Sequence, residues 1–378
     1  MRKYIDLVYF NAGGGHRSAA LALQEVMAQR HPEWNVSLVN LFELIDSDRY
    51  FQKLTGFAPE DLYNLRLKKG WTRGLATELK IFQAIIRLAH IKLKNKIEKY
   101  WIERQPDLVV SLIPNFNKVM YESLKDVFPR VPYVTILTDL ADYPPNFWIE
   151  PKQDQSLICG TGHAAEQAVE AGYRETQITQ VSGMILRPSF YKTLDIDRWA
   201  IREELGLDPY LPTGLVMFGG HGSSQMVKIA KDLSHRQMIF VCGHNELLAV
   251  KIKALKSSAP HVVYGFTSEI NLLMQISDYF IGKPGPGSLS ESIHMGLPVI
   301  TFKNPSTMPQ ERFNTSWVTD HQYGLVISTM RELPEAVEKM IAELLTFKAQ
   351  VSVVKNNAVF EVVETLGRII HLEMNTLP

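Results

Sequence analysis

Three times in this chain an apolar, strand-forming run ends in glycines and gives way to a helical pattern, and that repeat constrains the fold more than any other feature. Residues 4–10 run into Asn11-Ala12-Gly13-Gly14-Gly15-His16-Arg17-Ser18, residues 215–218 into Gly219-Gly220-His221-Gly222-Ser223-Ser224, and residues 279–282 into Lys283-Pro284-Gly285-Pro286-Gly287-Ser288. Further continuous apolar runs at 34–42, 107–113, 133–139, 156–161, 177–182, 238–242, 262–266 and 297–302 alternate with helical stretches. Continuous apolar strands separated by helices predict parallel sheets covered on both faces. At 378 residues the chain exceeds one ordinary core. The pattern pauses near 183–188 and restarts at Thr213, which predicts two doubly wound α/β domains facing each other, 1–187 and 188–378, with ligands in the cleft between them. The tail from 333 to about 374 reads as helical, its last helix placed to pack back on the first domain.

Composition narrows the function classes. With 46% apolar and 21% charged residues the chain reads as a soluble globular protein, and 40 Lys+Arg against 40 Asp+Glu leave no overall charge for nucleic acid. Cys159 and Cys242 lie in apolar runs and suit packing in a reducing compartment. The first apolar run is short and carries Asp6, which predicts no signal peptide, and no later run is long enough to span a bilayer. The neutral total conceals one patch. Residues 62–104 hold eleven Lys and Arg against Glu78, Glu98 and Glu103. Phe82, Ile86, Ala89, Leu93, Ile97 and Tyr100 follow helical spacing there, so this helix either packs on the core with a solvated lysine face or lies on an anionic bilayer. The loop bearing Lys68, Lys69, Trp71 and Arg73 is the segment expected to touch lipid.

Candidate site residues cluster at the glycine turns. A turn that opens a helix presents free N–H groups and a positive dipole end, which favours a phosphate; the alternative is a tight turn that merely needs glycine. In the third turn, Ser288 is placed to cap the helix and touch the anion. Beyond the next strand, Gln310, Glu311 and Asn314 supply amides and a carboxylate suited to sugar hydroxyls, with Glu311 and Asn314 on one helical face. The first turn is not a dinucleotide fingerprint, because His16 stands where that pattern continues, and no Gly-Lys-Ser/Thr follows. At a helix N-terminus the neutral form of His16 is favoured, as a general base requires; alternatively it caps or packs. Asp139 ends an apolar strand, where it either orients His16 or an acceptor hydroxyl or caps the following turn.

Five ordered words carry a resemblance: Gly13-Gly14-Gly15-His16, Thr138-Asp139-Leu140, the stretch from Gly183 to Phe190, Gly285-Pro286-Gly287-Ser288 and Gln310-Glu311-x-x-Asn314. Over almost its full length the chain resembles the monogalactosyldiacylglycerol synthase family, GT-B sugar-nucleotide glycosyltransferases related to the bacterial cell-wall enzyme that adds GlcNAc to lipid I. The resemblance implies direct displacement of UDP from a UDP-hexose, galactose ahead of glucose, by a diacylglycerol hydroxyl, giving a β-glycoside with inversion. It implies His16 as the base, with Asp139 assisting. Gly219, Gly220 and Ser223 would line the uridine–phosphate pocket, Gly265 and Phe266 would meet the uracil, and Gly285, Pro286, Gly287 and Ser288 the diphosphate. Glu291 would hold ribose hydroxyls, and Gln310, Glu311 and Asn314 the donor sugar or ribose. Gly13, Gly14 and Gly15 would face the acceptor.

Where the family carries His-Pro-Thr-Trp-Phe after Thr-Asp-Leu, this chain has Tyr143-Pro144-Pro145-Asn146-Phe147-Trp148, so either Phe147 or Trp148 takes the tryptophan's place beside acceptor and membrane. No bound cofactor and no obligatory metal are expected, since a helix N-terminus stabilises a departing diphosphate and no Asp-x-Asp motif is present. The expected setting is cytoplasmic, peripheral on the inner face of the cell membrane. Two other classes fit the same framework. A UDP-GlcNAc 2-epimerase would ignore lipid vesicles, and a UDP-sugar or lipid sensor would bind UDP without catalysis.

Overall fold

The computed structural model describes residues 2–11, 14–46, 75–192, 195–305 and 307–375. Gly13 of the first glycine turn and the basic loop residues Lys68, Lys69, Trp71 and Arg73 lie outside these. Two compact units are formed: the first holds the described residues up to Pro188 and those from Asn356 onward, the second Ser189–Lys355.

In the first unit six parallel strands, β1 (Lys3–Tyr9), β2 (Trp34–Asn40), β3 (Leu108–Ser111), β4 (Tyr133–Ile136), β5 (Ser156–Cys159) and β6 (Ile178–Gln180), pair in the order β2-β1-β3-β4-β5-β6. Helix α1 (Gly15–Arg30) follows β1, and the short α2 (Leu41–Ile45) follows β2. The basic stretch forms two helices, α3 (Leu75–Leu88) and α4 (His90–Arg104), broken at Ala89, where one continuous helix was expected. Ile86, Ile97 and Trp101 are buried against β1, β3 and α5 (Asn117–Val127), so one face of this pair belongs to the core. The charged exception inside β1, Asp6, is fully buried and accepts from Arg104 Nε at 3.0 Å and Tyr100 Oη at 3.1 Å, which fastens α4 to the sheet. Helix α6 (Gly162–Glu170) follows β5.

The second unit repeats the plan. Strands β7 (Gly214–Met217), β8 (Met238–Val241), β9 (His261–Tyr264), β10 (Tyr279–Gly282), β11 (Val299–Phe302) and β12 (Gly324–Ile327) are all parallel, in the order β12-β11-β10-β7-β8-β9. Helices α7 (Arg198–Glu204), α8 (Gln225–Asp232), α9 (Glu246–Lys253), α10 (Ile270–Gln275), α11 (Pro286–His294), α12 (Arg312–Asp320), α13 (Leu333–Ala342) and α14 (Leu344–Ser352) complete it. Strand β12 was not expected. It is four residues long and begins at Gly324, where a Cβ would stand 1.9 Å from the Val299 carbonyl oxygen of β11. Only glycine lets this last strand lie against the sheet. The final helix, α15 (Ala358–Asn375), packs on α1, with Arg30 donating to Glu364 at 2.6 Å.

One buried anion joins the elements beneath the second sheet. Asp278, just before β10, accepts from Arg202 of α7 (2.6 Å), Arg198 (2.6 Å), Lys348 of α14 (2.8 Å) and the Thr213 N–H before β7 (2.9 Å). Burial pushes its carboxyl up, but the bond and charge of Lys348, with Arg198 and the Thr213 amide, hold it below the usual carboxylate range. Its folded pKa is therefore depressed, and its contribution is present above the ordinary carboxylate value and lost as pH falls towards the folded one. Asp278→Asn leaves Arg202 buried without its partner and should cost about 3–5 kcal/mol, read as a lower midpoint in denaturant unfolding, with the difference from the parent shrinking in acid.

Candidate functional site

In parallel sheets every strand delivers its carboxyl end to one edge, and a ligand site forms where the strand order reverses direction. In the first unit that point lies between β1 and β3. Gly14, at φ 83°, turns the chain out of β1 and caps α1, a left-handed conformation that glycine adopts without strain. His16 is therefore the second residue of the helix, in its first turn. Its Nδ1 lies 2.9 Å from Thr138 Oγ1, beyond the end of β4. Its ring sits 4.8 Å from the Phe10 ring and 5.7 Å from that of Trp148.

Burial among these groups is what sets the chemistry of His16. Loss of solvent lowers its pKa to about 4, opposed by the Leu112 carbonyl after β3, which favours the charged ring. At neutral pH the imidazole thus carries a lone pair ready to take a proton.

Asp139 and Thr138 have distinct partners. The Asp139 carboxylate accepts the indole N–H of Trp148 at 2.9 Å, while the group at hydrogen-bond distance from His16 Nδ1 is the Thr138 hydroxyl. Trp148 is fully buried, its backbone N–H held by Asp142 Oδ1 at 2.6 Å; Phe147 is also buried and meets it edge-on. Trp148, not Phe147, is the ring beside His16. Burial removes both from any membrane-facing role.

The second unit gathers four carboxyl ends: Gly219 and Gly220 after β7, Gly243 and His244 after β8, Gly265 and Phe266 after β9, and Lys283 to Gly285 after β10. Gly219 (φ 74°) and Gly243 (φ 59°) need the left-handed region, and a Cβ on Gly243 would stand 2.2 Å from the Gly220 carbonyl oxygen. The backbone thus closes on itself there, with the His244 N–H donating to Gly220 O at 2.8 Å. The His244 ring stacks on Phe266 at 4.3 Å and 15°, and Phe266 is 67% exposed, so an aromatic platform stands open at this edge. Ser223 is half-buried and its Oγ accepts from Gln225 N at 3.3 Å.

Helix α11 begins differently from the expectation. Gly285 is its N-cap and Pro286 its first residue, and no side chain caps it; Ser288 stands inside the first turn. The N–H groups of Gly287 and Ser288 have no acceptor within the helix, which makes this end a seat for an oxyanion. Glu291 lies half-buried further along. Asn314 is fully buried and its Nδ2 donates to the Pro284 carbonyl at 2.7 Å, so it props the turn from below instead of reaching a ligand. Glu311 is buried too, but it meets Lys283, whose Nζ lies 2.8 Å from Glu311 Oε1. Gln310 is half-buried beside it.

Residues 16–184, which carry His16, Thr138, Asp139 and Trp148, match the family model described as monogalactosyldiacylglycerol (MGDG) synthase, and residues 215–366 match the glycosyltransferase family 28 C-terminal domain. A chloroplastic monogalactosyldiacylglycerol synthase of Spinacia oleracea is 26% identical over 97% of this chain and 73% of its own.

Over residues 16–184 the chain is similar to the monogalactosyldiacylglycerol synthase family. It is a glycosyltransferase of GT-B fold. The fold is also that of Acinetobacter baumannii MurG (TM-score 0.63, 10% identity, 97% of this chain and 99% of that one). Anabaena Alr3699/HepE, solved in complex with UDP, has it as well (TM-score 0.55, 16% identity, 98% and 99%).

Sequence reasoning assigned no role to Thr138, His244 or Lys283. Each sits one to three residues past a strand's end, which is the only signal that could have marked it. A neutral His16 predicts a flat acid side to the pH–rate profile. Transfer measured from pH 8 to pH 5.5 should stay within twofold, where a histidine of ordinary pKa would lose about tenfold.

Proposed function

We propose that this enzyme transfers galactose from UDP-galactose to the free hydroxyl of 1,2-diacylglycerol, with inversion, giving a β-galactosyl diacylglycerol and UDP. The observation that carries the reading is the MGDG synthase match over the unit that holds the half-buried, neutral His16. In this mechanism the acceptor oxygen attacks the anomeric carbon while its proton passes to the His16 ring, and the bond to the β-phosphate breaks with its electrons on the phosphate oxygen. Thr138 and the Trp148 indole hold the imidazole in place, so little reorganisation accompanies proton transfer. On the donor side the uracil stacks on the Phe266 platform beside Gly265. The uridine–phosphate portion lies along Gly219, Gly220 and Ser223, and the diphosphate at the α11 N-terminus from Gly285 to Ser288. Glu291, Gln310 and Glu311 serve the ribose and hexose hydroxyls.

Such an enzyme must meet its acceptor in a bilayer, and none of the described helices is long and apolar enough to cross one. The surface of α3 offers the means. Ile81 (55% exposed), Ile85 (55%) and Leu88 (89%) follow at helical spacing on its outer side, and Ile91 (74%), the second residue of α4, comes three residues on. This apolar stripe is opposite in kind to the Ile86 and Ile97 face that enters the core, and exposed Arg87, Lys92 and Lys99 flank it. A peripheral contact with an anionic leaflet fits that combination. Lys68, Lys69, Trp71 and Arg73 are proposed to join it. Both cysteines are free and buried, in keeping with the cytoplasmic face.

Separate incubations with UDP-galactose and UDP-glucose, each with diacylglycerol in anionic vesicles, test the reaction. A β-galactosyl diacylglycerol identified by mass spectrometry and NMR is expected; a glucosyl product reassigns the donor sugar. Absence of any lipid product despite UDP binding overturns the acceptor. His16→Ala should abolish transfer yet leave UDP affinity within a few-fold, and equal loss of both would remove His16 from the base role. Replacing Ile85 and Leu88 together by Glu should reduce sedimentation with anionic vesicles while leaving UDP affinity unchanged.

A further inference from the structure

At the switch point of the second sheet, β7 and β10 pair directly, with Tyr279 opposite Gly214 and Gly282 opposite Met217. The residues that leave these two strands therefore stand side by side, and Lys283 is the first to leave β10. Its side chain runs across both glycine turns. A Cβ on Gly219 would lie 3.8 Å from Lys283 Cε, and one on Gly285 would lie 3.4 Å from Cε and 3.7 Å from Nζ. The lysine stem thus lies within contact range of both turns. Its ammonium ends on Glu311, 2.8 Å away, with the Lys283 side chain 37% exposed and that of Glu311 only 6%.

A buried carboxylate needs a cation, but one carboxylate uses only part of an ammonium, which carries three donors. The ammonium stands at the turn that opens α11, where a Cβ on the N-cap Gly285 would lie 3.7 Å from Nζ. Cation and helix end thus converge on one small region, and a diphosphate is the ligand whose charge both would meet.

Resting on the donor reading above, we propose that Lys283 is a catalytic residue that binds the diphosphate and stabilises it as leaving group, and that Glu311 holds it at the site when the donor is absent. When the bond between the anomeric carbon and the β-phosphate oxygen breaks, the electron pair stays on that oxygen and adds one negative charge. Lys283 meets that charge without giving up a proton. The acceptor's proton goes to His16, so the balance requires no further reactant. On donor binding, the ammonium shares itself between Glu311 and the phosphate, and the relaxed Glu311 carboxylate turns towards a donor hydroxyl.

Calorimetry with uridine, UMP and UDP on the unaltered protein and on Lys283→Gln, Lys283→Arg and Glu311→Gln separates this role from a structural one. Lys283→Gln should weaken UDP by about tenfold to a hundredfold and leave uridine within twofold, because the lost contact is to phosphate alone. Lys283→Arg keeps the charge and should stay within a few-fold for UDP. Glu311→Gln frees the ammonium and should bind UDP at least as tightly as the parent while transferring more slowly. In steady state, Lys283→Gln should lower kcat more than it raises the donor KM.

Unchanged UDP affinity in Lys283→Gln, or loss of uridine in the same proportion, overturns the assignment, as does Lys283→Arg behaving like Lys283→Gln. Failure of the unaltered protein to bind UDP at all instead removes the nucleotide-donor reading on which the proposal stands.

Discussion

Parallel pairing of β7 with β10 is the constraint on which the glycine edge of the second unit depends. Because both strands run the same way and are in contact, the chain must leave them at one edge and at one height. The glycine turn at 219 and the Lys283-Pro284-Gly285 turn are neighbours for that reason, although more than 60 residues separate them. Everything else in the second unit keeps that pairing in place. Asp278 ties the opposite ends of these strands to α7 and α14, Thr301 Oγ1 donates to the Gly282 carbonyl at 2.9 Å, and Asn314 holds the Pro284 carbonyl. The buried polar groups lie mostly under the turns, where irregular backbone needs partners that a strand would have found in its ladder.

The first unit uses the same sheet edge with the opposite electrostatic aim. Phe10 and Trp148 pack against one imidazole whose pKa burial lowers, and two nearby carboxylates bond neighbouring groups. Asp139 takes the Trp148 indole, and Asp142 takes the backbone N–H groups of Asn146 and Trp148. A carboxylate paired directly with His16 would favour the imidazolium; one that fixes an aromatic wall favours the neutral ring. The difference decides whether the same acidic residue raises or lowers the pKa of the base.

The amino-acid sequence made the layer plan legible because each buried parallel strand is a continuous apolar run and each crossover a helical one. What it concealed depended on contacts distant in the chain. β12 is four residues long and is recognisable only once Gly324 is seen against Val299. The amphipathic spacing from Phe82 to Tyr100 reads as one helix because the break at Ala89 hardly disturbs the periodicity, and attention to that face hid the second stripe through Ile81, Ile85 and Leu88. Asn314 looked like a ligand to sugar because it shares a face with Glu311, yet its partner is a carbonyl 30 residues earlier. Thr138 and Lys283 stand beside residues that the motifs marked, but nothing local marks their own contacts. Their meaning comes from strand order, which composition and periodicity do not encode.

Two electrostatic regimes follow from one architecture. A base must be dry to remain neutral, whereas a leaving diphosphate must be met by fixed positive charge, and one low-dielectric site would serve both poorly. An unshielded ammonium beside His16 would depress its basicity further than burial already does, and a diphosphate bound close to it would raise its pKa and protonate it. With the roles proposed for His16 and Lys283, duplicating the parallel sheet gives each task its own carboxyl edge. The first is walled with Phe10 and Trp148, the second carries Lys283 and a helix end opened by Gly285 and Pro286. The chemical identity of the two edges then lies in a few residues past strand ends, while the strands themselves stay interchangeable apolar runs.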